Sequence, residues 1–357
     1  VPQGAFSPVR SLEERIVEPS PEVSSMMKYE DAEVNFVDGT ASMSIPLHSW
    51  STSDYTLNIG LGYQIRAFKK EEEAGWVGLG WSLMGAGAVT RTIMGLPDEK
   101  QEYDSKSRWE IEADESQGLD YIRKLINKDI DASLDRYSYY LPGSSGSFVV
   151  LGDSIIQTPQ SNNEIYFIGR IKDGVRDFKI ITPDGVEYEF TVRENCVFTY
   201  KSMTPNWPSL DYEYDAVHTW HLSKITIPGE IPIIYKYELI RDLTKSHDKK
   251  TAAVTSLSNF TDVGTGRPCS FNYETMSVMS VSEAATHISA YNYTKYVNRR
   301  ILRSISSYTG SIEFTTYTSD ANVHSNSYSY IREINVYNSF GKKVKSISLH
   351  QKDTDQS

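Results

Sequence analysis

The most informative segment of the chain reads Gly75-Trp76-Val77-Gly78-Leu79-Gly80-Trp81-Ser82-Leu83, and Gly85-Ala86-Gly87-Ala88-Val89-Thr90-Arg91-Thr92 follows closely. Two tryptophans alternate with glycines ahead of a β-branched strand sequence. Glycine adopts backbone conformations that other residues avoid and lets a ring or a second backbone approach closely. Each indole brings a large apolar surface. The segment therefore predicts a strand-and-turn corner packed around the two indoles, with Trp76, Gly78, Gly80 and Trp81 as structural residues.

The glycine spacing of this segment argues against a nucleotide cofactor. A phosphate-binding loop needs G-x-G-x-x-G or the Walker arrangement at the start of a helix. Gly78-Leu79-Gly80 is followed by Trp, Ser and Leu, and no Gly-Lys-Ser/Thr triplet occurs here. The sequence predicts no cofactor.

The composition favours strands and an acidic surface. The 357 residues include 24 tyrosines, aromatic residues make up 12%, and the formal net charge is −11. Aromatic and β-branched residues prefer strands, and an acidic chain does not suit nucleic acid or anionic membrane as a partner. No run of about 18 apolar residues predicts a transmembrane helix. Cys196 and Cys269 are too few for a disulfide framework, and either one bridge or two separate thiols fits the sequence.

Alternating and turn-forming residues recur along the chain and predict an all-β fold of mainly antiparallel sheets and hairpins. Leu57–Ile65 alternates apolar and other residues, as a half-buried strand does. Thr182-Pro183-Asp184-Gly185 and Asn338–Lys342 each separate two strand-like runs, as hairpin turns do. Apolar spacing over Leu119–Ile130 predicts one short helical excursion, around 119–130. The predicted segments are a tail (1–20), a β segment with the Gly/Trp corner (21–97), a charged helical insertion (98–136) and a β-rich region (137–357).

Several of these segments resemble the N-terminal region of bacterial Rhs (YD-repeat) proteins, which are related to the B component of insecticidal toxin complexes. The most specific match is Trp76–Leu83 with Val89-Thr90-Arg91-Thr92, which adds Arg91 to the structural motif. The other matching stretches are Pro21–Tyr29, Val34–Thr40, Ser44–Leu47, Phe178–Phe190, Thr219–Ile225, Ile234–Glu238 and Ile331–Asn338. The resemblance implies a part of a curved β-shell that encloses a toxin, with downstream repeats or toxin cargo as partners. This chain departs from the family because it has no array of Tyr-Asp repeats.

Signatures of catalysis or metal binding are missing from the sequence. His218 and His221 are the only histidines close together, and residues three apart on a strand point to opposite faces, so we expect surface or strand-edge histidines rather than a metal site. No Gly-x-Ser-x-Gly elbow occurs. The sequence predicts no catalytic residue and no metal ligand, and a hydrolase built from converging distant residues stays the third alternative.

The leading hypothesis is a non-catalytic structural module of an exported or cell-surface bacterial protein that starts or caps a β-shell. The N-terminus Val1-Pro2-Gln3 fits a mature chain whose signal peptide has been removed. The alternative is a cell-surface adhesin or carbohydrate-binding module, for which aromatic rings could stack on a cell-surface glycan. Its candidate binding residues are Trp207, Tyr212, Tyr214 and Trp220.

Overall fold

The computed structural model describes residues 42–52, 55–64, 75–100, 102–127, 129–202, 212–240, 243–252, 287–318 and 329–350. The early strands are β1 Ser42–Ser51, β2 Thr56–Gln64, β3 Trp81–Met84, β4 Ala88–Thr92, β5 Glu102–Tyr103, β6 Ile130–Asp131, β7 Arg136–Leu141, β8 Ser144–Leu151, β9 Ser154–Gln157 and β10 Glu164–Lys172. The later strands are β11 Val175–Ile181, β12 Glu187–Ser202, β13 Tyr212–Thr226, β14 Ile233–Leu239, β15 Leu243–Ala252, β16 His287–Val297, β17 Arg300–Ser307, β18 Gly310–Thr318, β19 Ser329–Asn338 and β20 Lys343–Ser348. The helices are α1 Arg108–Ala113 and α2 Glu115–Asn127.

The fold is all-β and its sheets are mainly antiparallel, which confirms the predicted class. Ten strands of the large sheet follow one path, in the order β20-β19-β18-β17-β14-β13-β4-β7-β8-β9, and the sheets are not closed. The strand β13 is a branch point, because it pairs with β4 and β14 and also with β12, which continues to β11 and β10. Both predicted hairpin turns occur: Thr182 N–H donates to Val186 O at 3.0 Å, and Asn338 N–H donates to Lys342 O at 3.0 Å.

A small sheet of β1, β2 and β3 shares the core with the large sheet. Leu57, Ile59 and Leu61 of β2 are buried, as their alternation predicts. Tyr235 of β14 donates its hydroxyl to Gly85 O at 2.6 Å, and Tyr188 of β12 donates to the Tyr55 hydroxyl at 3.3 Å. Apolar burial drives the packing of such layers, and these tyrosine hydrogen bonds fix their alignment.

Aromatic rings form the centre of the core between β7, β8, β11 and β13. Tyr137 and Phe148 stack with their centroids 5.1 Å apart. Trp220 lies 5.1 Å from Phe178 in an edge arrangement, and Phe178 lies 5.3 Å from Phe148. Tilted and edge-to-face aromatic pairs add stability beyond their buried area, so the aromatic content of the sequence serves the interior here.

The helical excursion begins earlier and buries a different face than the sequence predicts. The helix α2 covers Glu115–Asn127, because the Asp114 carboxylate accepts from the backbone N–H of Ser116 and Gln117 as an N-cap side chain does. Tyr121 of this helix is 4% exposed and donates its hydroxyl to Asp104 O at 2.8 Å. Leu119, which the predicted apolar stripe includes, is 49% exposed.

The chain divides into two compact units. The larger unit contains residues 1–196, 215–243 and 296–357, and the smaller contains 197–214 and 244–295. Within the smaller unit, Phe198 stacks on Tyr214 at 5.2 Å, and Thr199 donates its hydroxyl to Glu213 at 3.0 Å. In the described ranges, no helix has both the length and the apolar character needed to cross a membrane.

Candidate functional site

The Gly/Trp segment folds as a tight turn that leads into β3. Gly78 N–H donates to Gly75 O at 2.9 Å, and Trp81 N–H donates to Gly78 O at 3.2 Å. Gly78 has a φ of 125° and Gly80 a φ of 75°. Residues with a Cβ are strained in this region of backbone conformation, so both positions favour glycine.

The two tryptophans of this turn occupy different environments. Trp76 is 5% exposed and its ring meets Phe314 edge-on at 5.8 Å, while its carbonyl accepts from Ile331 N–H at 2.8 Å. Trp81 is half-buried and lies against Tyr63 with the ring centroids 5.0 Å apart. Trp76 is thus a core residue joined to β18 and β19, whereas Trp81 belongs to the margin of the small sheet.

Arg91 lies at the centre of a buried ionic cluster. Its Nε donates to Asp135 Oδ2 at 2.8 Å, its Nη1 donates to Glu99 Oε1 at 3.0 Å, and its Nη2 contacts both carboxylates. Asp135 also accepts from the backbone N–H of Met94 at 2.7 Å, and its own N–H donates to Asp98 Oδ2 at 3.1 Å. The side chains of Arg91 and Asp135 have no solvent exposure. The cluster therefore joins β4 to the loop before β7 through paired charges.

Two carboxyl groups of this cluster, those of Asp98 and Asp135, have raised pKa values. Burial, followed by repulsion from Asp135, raises the pKa of Asp98 to about 7. Burial also raises the pKa of Asp135, against the opposing attraction of Arg91. Desolvation penalises a charged carboxylate, and a nearby anion adds to the penalty. Asp98, with a pKa of about 7, exchanges a proton near neutral pH.

A second buried cluster gathers Glu194 of β12 and two histidines of β13. His221 Nε2 lies 3.0 Å from Glu194 Oε1, and His218 Nε2 lies 4.0 Å from Glu194 Oε2. The backbone N–H of Arg300 donates to Glu194 Oε1 at 2.5 Å. Both imidazoles are buried, at 1% and 2% exposure, so the expectation of surface or strand-edge histidines is wrong. The seven residues 216–222 of β13 are all buried, and alternation alone could not place these rings.

Burial and neighbouring groups together shift the pKa values of His218 and Glu194. Burial lowers the pKa of His218 to about 4, against an opposing attraction from Glu194. Burial would raise the pKa of Glu194, but His221, His218 and the Arg300 N–H together lower it. Across the described ranges, no group of three or more His, Cys, Asp or Glu side chains has the arrangement to hold a metal ion. The cluster joins β12 to β13 through the contacts of Glu194 with the two imidazoles and is suited to holding these strands together.

The residues suggested for glycan binding do not form an exposed groove where the structure describes them. Trp220 is fully buried in the aromatic core, and Tyr214 is 7% exposed in its stack with Phe198. Tyr212 begins β13, and Trp207 lies outside the described residues. Cys196 is a buried free thiol whose pKa burial raises to about 12, and Cys269 lies outside the described residues.

A cavity of about 320 Å³ opens on another part of the larger unit. Its described lining comes from residues 48–52 and Tyr55, from the β13–β14 loop, and from the turns that follow β17 and β19. Trp50 is a buried wall of the cavity, and Tyr308 at its mouth is 48% exposed. Sequence reasoning missed this site, because residues from four distant stretches of the chain form it.

The described residues that line the cavity include several rings and no Lys, Arg, Asp or Glu. His48 meets Trp50 edge-on at 5.3 Å, and burial, together with Lys345, lowers the pKa of His48. Burial raises the pKa of Tyr55 to about 12, although a hydrogen bond from Tyr188 opposes the shift. Both groups are therefore neutral at pH 7, and the cavity presents rings, hydroxyls and aliphatic side chains to a ligand.

No family model and no curated protein sequence matches the chain. Among solved structures, it is similar to the TcdB2-TccC3-Cdc42 crystal structure at 10% identity and a TM-score of 0.37, with 85% of this chain and 13% of that chain covered. It is similar to the Photorhabdus luminescens Tc holotoxin pore at 12% identity and a TM-score of 0.34, covering 84% and 13%. It is also similar to the N-terminal domain of the effector SpvB from Salmonella typhimurium strain LT2, at 8% identity and a TM-score of 0.31, covering 83% and 87%. This chain thus spans a small fraction of the toxin-complex chains, and TM-scores below 0.5 leave the similarity too coarse to assign a role.

Proposed function

We propose that this chain is a non-catalytic structural module of a secreted or cell-surface bacterial protein, in which it starts or caps a longer β-sheet. The observation that carries the proposal is the edge strand β20, at the end of the ten-strand path. An edge strand presents a row of backbone donors and acceptors that a further strand can pair with. Downstream repeats or a toxin cargo of a longer chain are the partners that we propose for it.

The outward donors of β20 follow from its hydrogen bonding to β19. Leu349 N–H, just beyond the strand, donates to Arg332 O at 2.8 Å, so this amide points toward β19. Alternate residues of an antiparallel strand direct their N–H groups to the same side. The amides of Ser346 and Ser348 therefore point away from β19, and within the described ranges no strand pairs with this side of β20.

The side chains of β20 limit which strand can add there. Lys345 lies across from the buried Val336 and directs its Nζ to Leu47 O at 3.2 Å, an inward position for a charged residue on an edge. Inward-pointing charges and lysines protect natural edge strands from unspecific pairing. Lys343 lies on the same strand, and Val344 is 59% exposed. An incoming strand with acidic and apolar residues would match this edge best.

The two buried ionic clusters support a structural rather than a catalytic role. Arg91 pairs with Glu99 and Asp135, and Glu194 pairs with His221, all at buried positions. A catalytic group must reach its substrate, whereas these groups contact each other and the backbone of neighbouring strands. The sequence resemblance to the N-terminal region of Rhs proteins supports the same proposal.

Amide hydrogen exchange tests the proposal directly. Exchange at Ser346 and Ser348 is compared between residues 1–357 alone and the natural reading frame extended beyond Ser357. Pairing of a further strand is expected to slow exchange of these two amides at least tenfold, whereas Ile347, already directed toward β19, serves as the internal control. Equal exchange rates in the two proteins, or a stop codon directly after Ser357, would contradict the proposal.

A further inference from the structure

We propose that the cavity beside the β1–β2 turn binds a neutral pyranose sugar. This site lies apart from the β20 edge pairing and does not depend on the structural role proposed above. The inference rests on the residues that line the cavity, their charge, and the space that they enclose.

Rings dominate the wall of the cavity. Trp50, Tyr55 and Tyr337 lie along it, Tyr308 stands at its mouth, and the aliphatic side chains of Ile227 and Ile233 are buried at its base. Aromatic rings offer a flat apolar face next to a polar edge, which suits a pyranose with its C–H face and its hydroxyl rim. Ligand sites of small molecules start at about 300 Å³, and 320 Å³ accommodates one sugar ring with bound water.

The described lining of the cavity carries no acidic or basic side chain. Lys, Arg, Asp and Glu make up 23% of all residues, yet none of the described residues that line the cavity is one of these. A site for an anion or a cation would place an opposite charge at the ligand, because desolvating an unpaired ion is costly. The rings, hydroxyls and aliphatic groups of the described lining suit a neutral ligand.

Polar groups at the rim are held in place by their own hydrogen bonds. Asn338 Oδ1 accepts from the N–H of Phe340 at 3.1 Å and of Lys342 at 3.0 Å, which fixes the orientation of this side-chain amide. In the turn between β17 and β18, the hydroxyls of Ser307 and Thr309 share a hydrogen bond of 2.7 Å. Fixed donors and acceptors around an apolar floor favour a polyhydroxylated ligand over a purely apolar side chain of a protein partner.

Ligand-detected NMR and tryptophan fluorescence test the site with defined sugars. Methyl β-glucoside, methyl β-galactoside and methyl α-mannoside are compared with glucuronate and glucosamine, on the chain of residues 1–357. At least one neutral glycoside is expected to saturate at a Kd of about 1–10 mM, typical of a weak single-ring ligand, with the charged sugars at least fivefold weaker. The Tyr308→Ala variant is expected to weaken binding at least fivefold.

The matched control is Tyr166→Ala, which removes another exposed tyrosine that does not line the cavity. Far-UV circular dichroism of both variants confirms that they fold. The proposal is overturned if no sugar saturates, if charged sugars bind as well as neutral ones, or if Tyr308→Ala and Tyr166→Ala behave alike. Binding of N-acetylphenylalanine amide without any sugar would also overturn it, and would assign the cavity to a side chain of a protein partner.

Discussion

Replacing Arg91 with methionine is the sharpest test of the buried ionic cluster. The side chains of Asp135 and Glu99 are 0% and 7% exposed, and the substitution removes the cation that both carboxylates contact. Breaking a buried ion pair from one side costs about 3–5 kcal/mol, because the remaining charge stays buried without a partner. Native domains are stable by about 5–15 kcal/mol, so Arg91→Met is expected to remove a large part of the free energy of unfolding.

The assay is urea denaturation followed by circular dichroism at pH 7 and pH 5. Arg303→Met is the matched control, because Arg303 lies 3.9 Å from Glu238 in a pair that is 49% and 53% exposed. Exposed ion pairs contribute about 0–1 kcal/mol. The deficit of Arg91→Met is expected to shrink at pH 5, where the carboxylates bind protons more readily without the arginine.

Two results would refute this account of the cluster. One is a loss below about 1 kcal/mol for Arg91→Met, similar to the control. The other is a deficit that stays constant between pH 7 and pH 5. If the single variant does not fold, the double variant Arg91→Met with Asp135→Asn is expected to recover part of the stability, since it removes one buried charge.

Three further predictions concern the core and its titrating groups. Trp76→Ala is expected to cost about 3–5 kcal/mol and Trp81→Ala clearly less, because only the first ring is fully enclosed, and equal losses in denaturant titrations would contradict this. His218 has a pKa of about 4 in the fold against its ordinary 6.5, so its contribution to stability is present above pH 6.5 and is lost as the pH falls toward 4. The variant His218→Gln is expected to flatten the dependence of the unfolding free energy on pH in this range. An unchanged slope would disprove this prediction. The pKa of Asp98 is shifted in the opposite direction, from 3.8 to about 7. Its contribution to stability is therefore present below about pH 3.8 and is lost as the pH rises through 7. Asp98→Asn is therefore expected to be more stable than the natural chain at pH 8 and nearly equal at pH 4, as thermal melts at the two pH values can show.

Local patterns were enough to predict several strands of this chain and its hairpin turns at Thr182–Gly185 and Asn338–Lys342. The turn at Thr182–Gly185 has a proline, an aspartate and a glycine in the order that a hairpin requires, and the alternation of Leu57, Ile59 and Leu61 placed one face of β2 in the core. These signals depend on neighbouring residues only. The helix α2 was located for the same reason, although its start depends on the side chain of Asp114.

The polar interior could not be predicted, because its partners are far apart in sequence. Glu194 meets His218 and His221 only after β12 has paired with β13, and both faces of β13 are covered over residues 216–222. From the sequence, Trp220 is a candidate to stack on a sugar ring. In the fold its ring packs against Phe178 and Tyr137 in the core. The residue type shows that a side chain is aromatic, but packing in the folded protein determines whether solvent reaches its ring.

The branch at β13 has a consequence for how the protein is made. Thr90 of β4 pairs with Thr219 of β13, which lies 129 residues later in the chain. Those residues must leave the ribosome before β13 can pair with this edge of β4. At about 5–20 residues per second, the delay is roughly 6–25 seconds. Throughout this interval one edge of β4, a strand that is almost wholly buried in the fold, has no partner strand. Slow vectorial synthesis should therefore make this protein dependent on chaperones that shield β4 until β13 emerges.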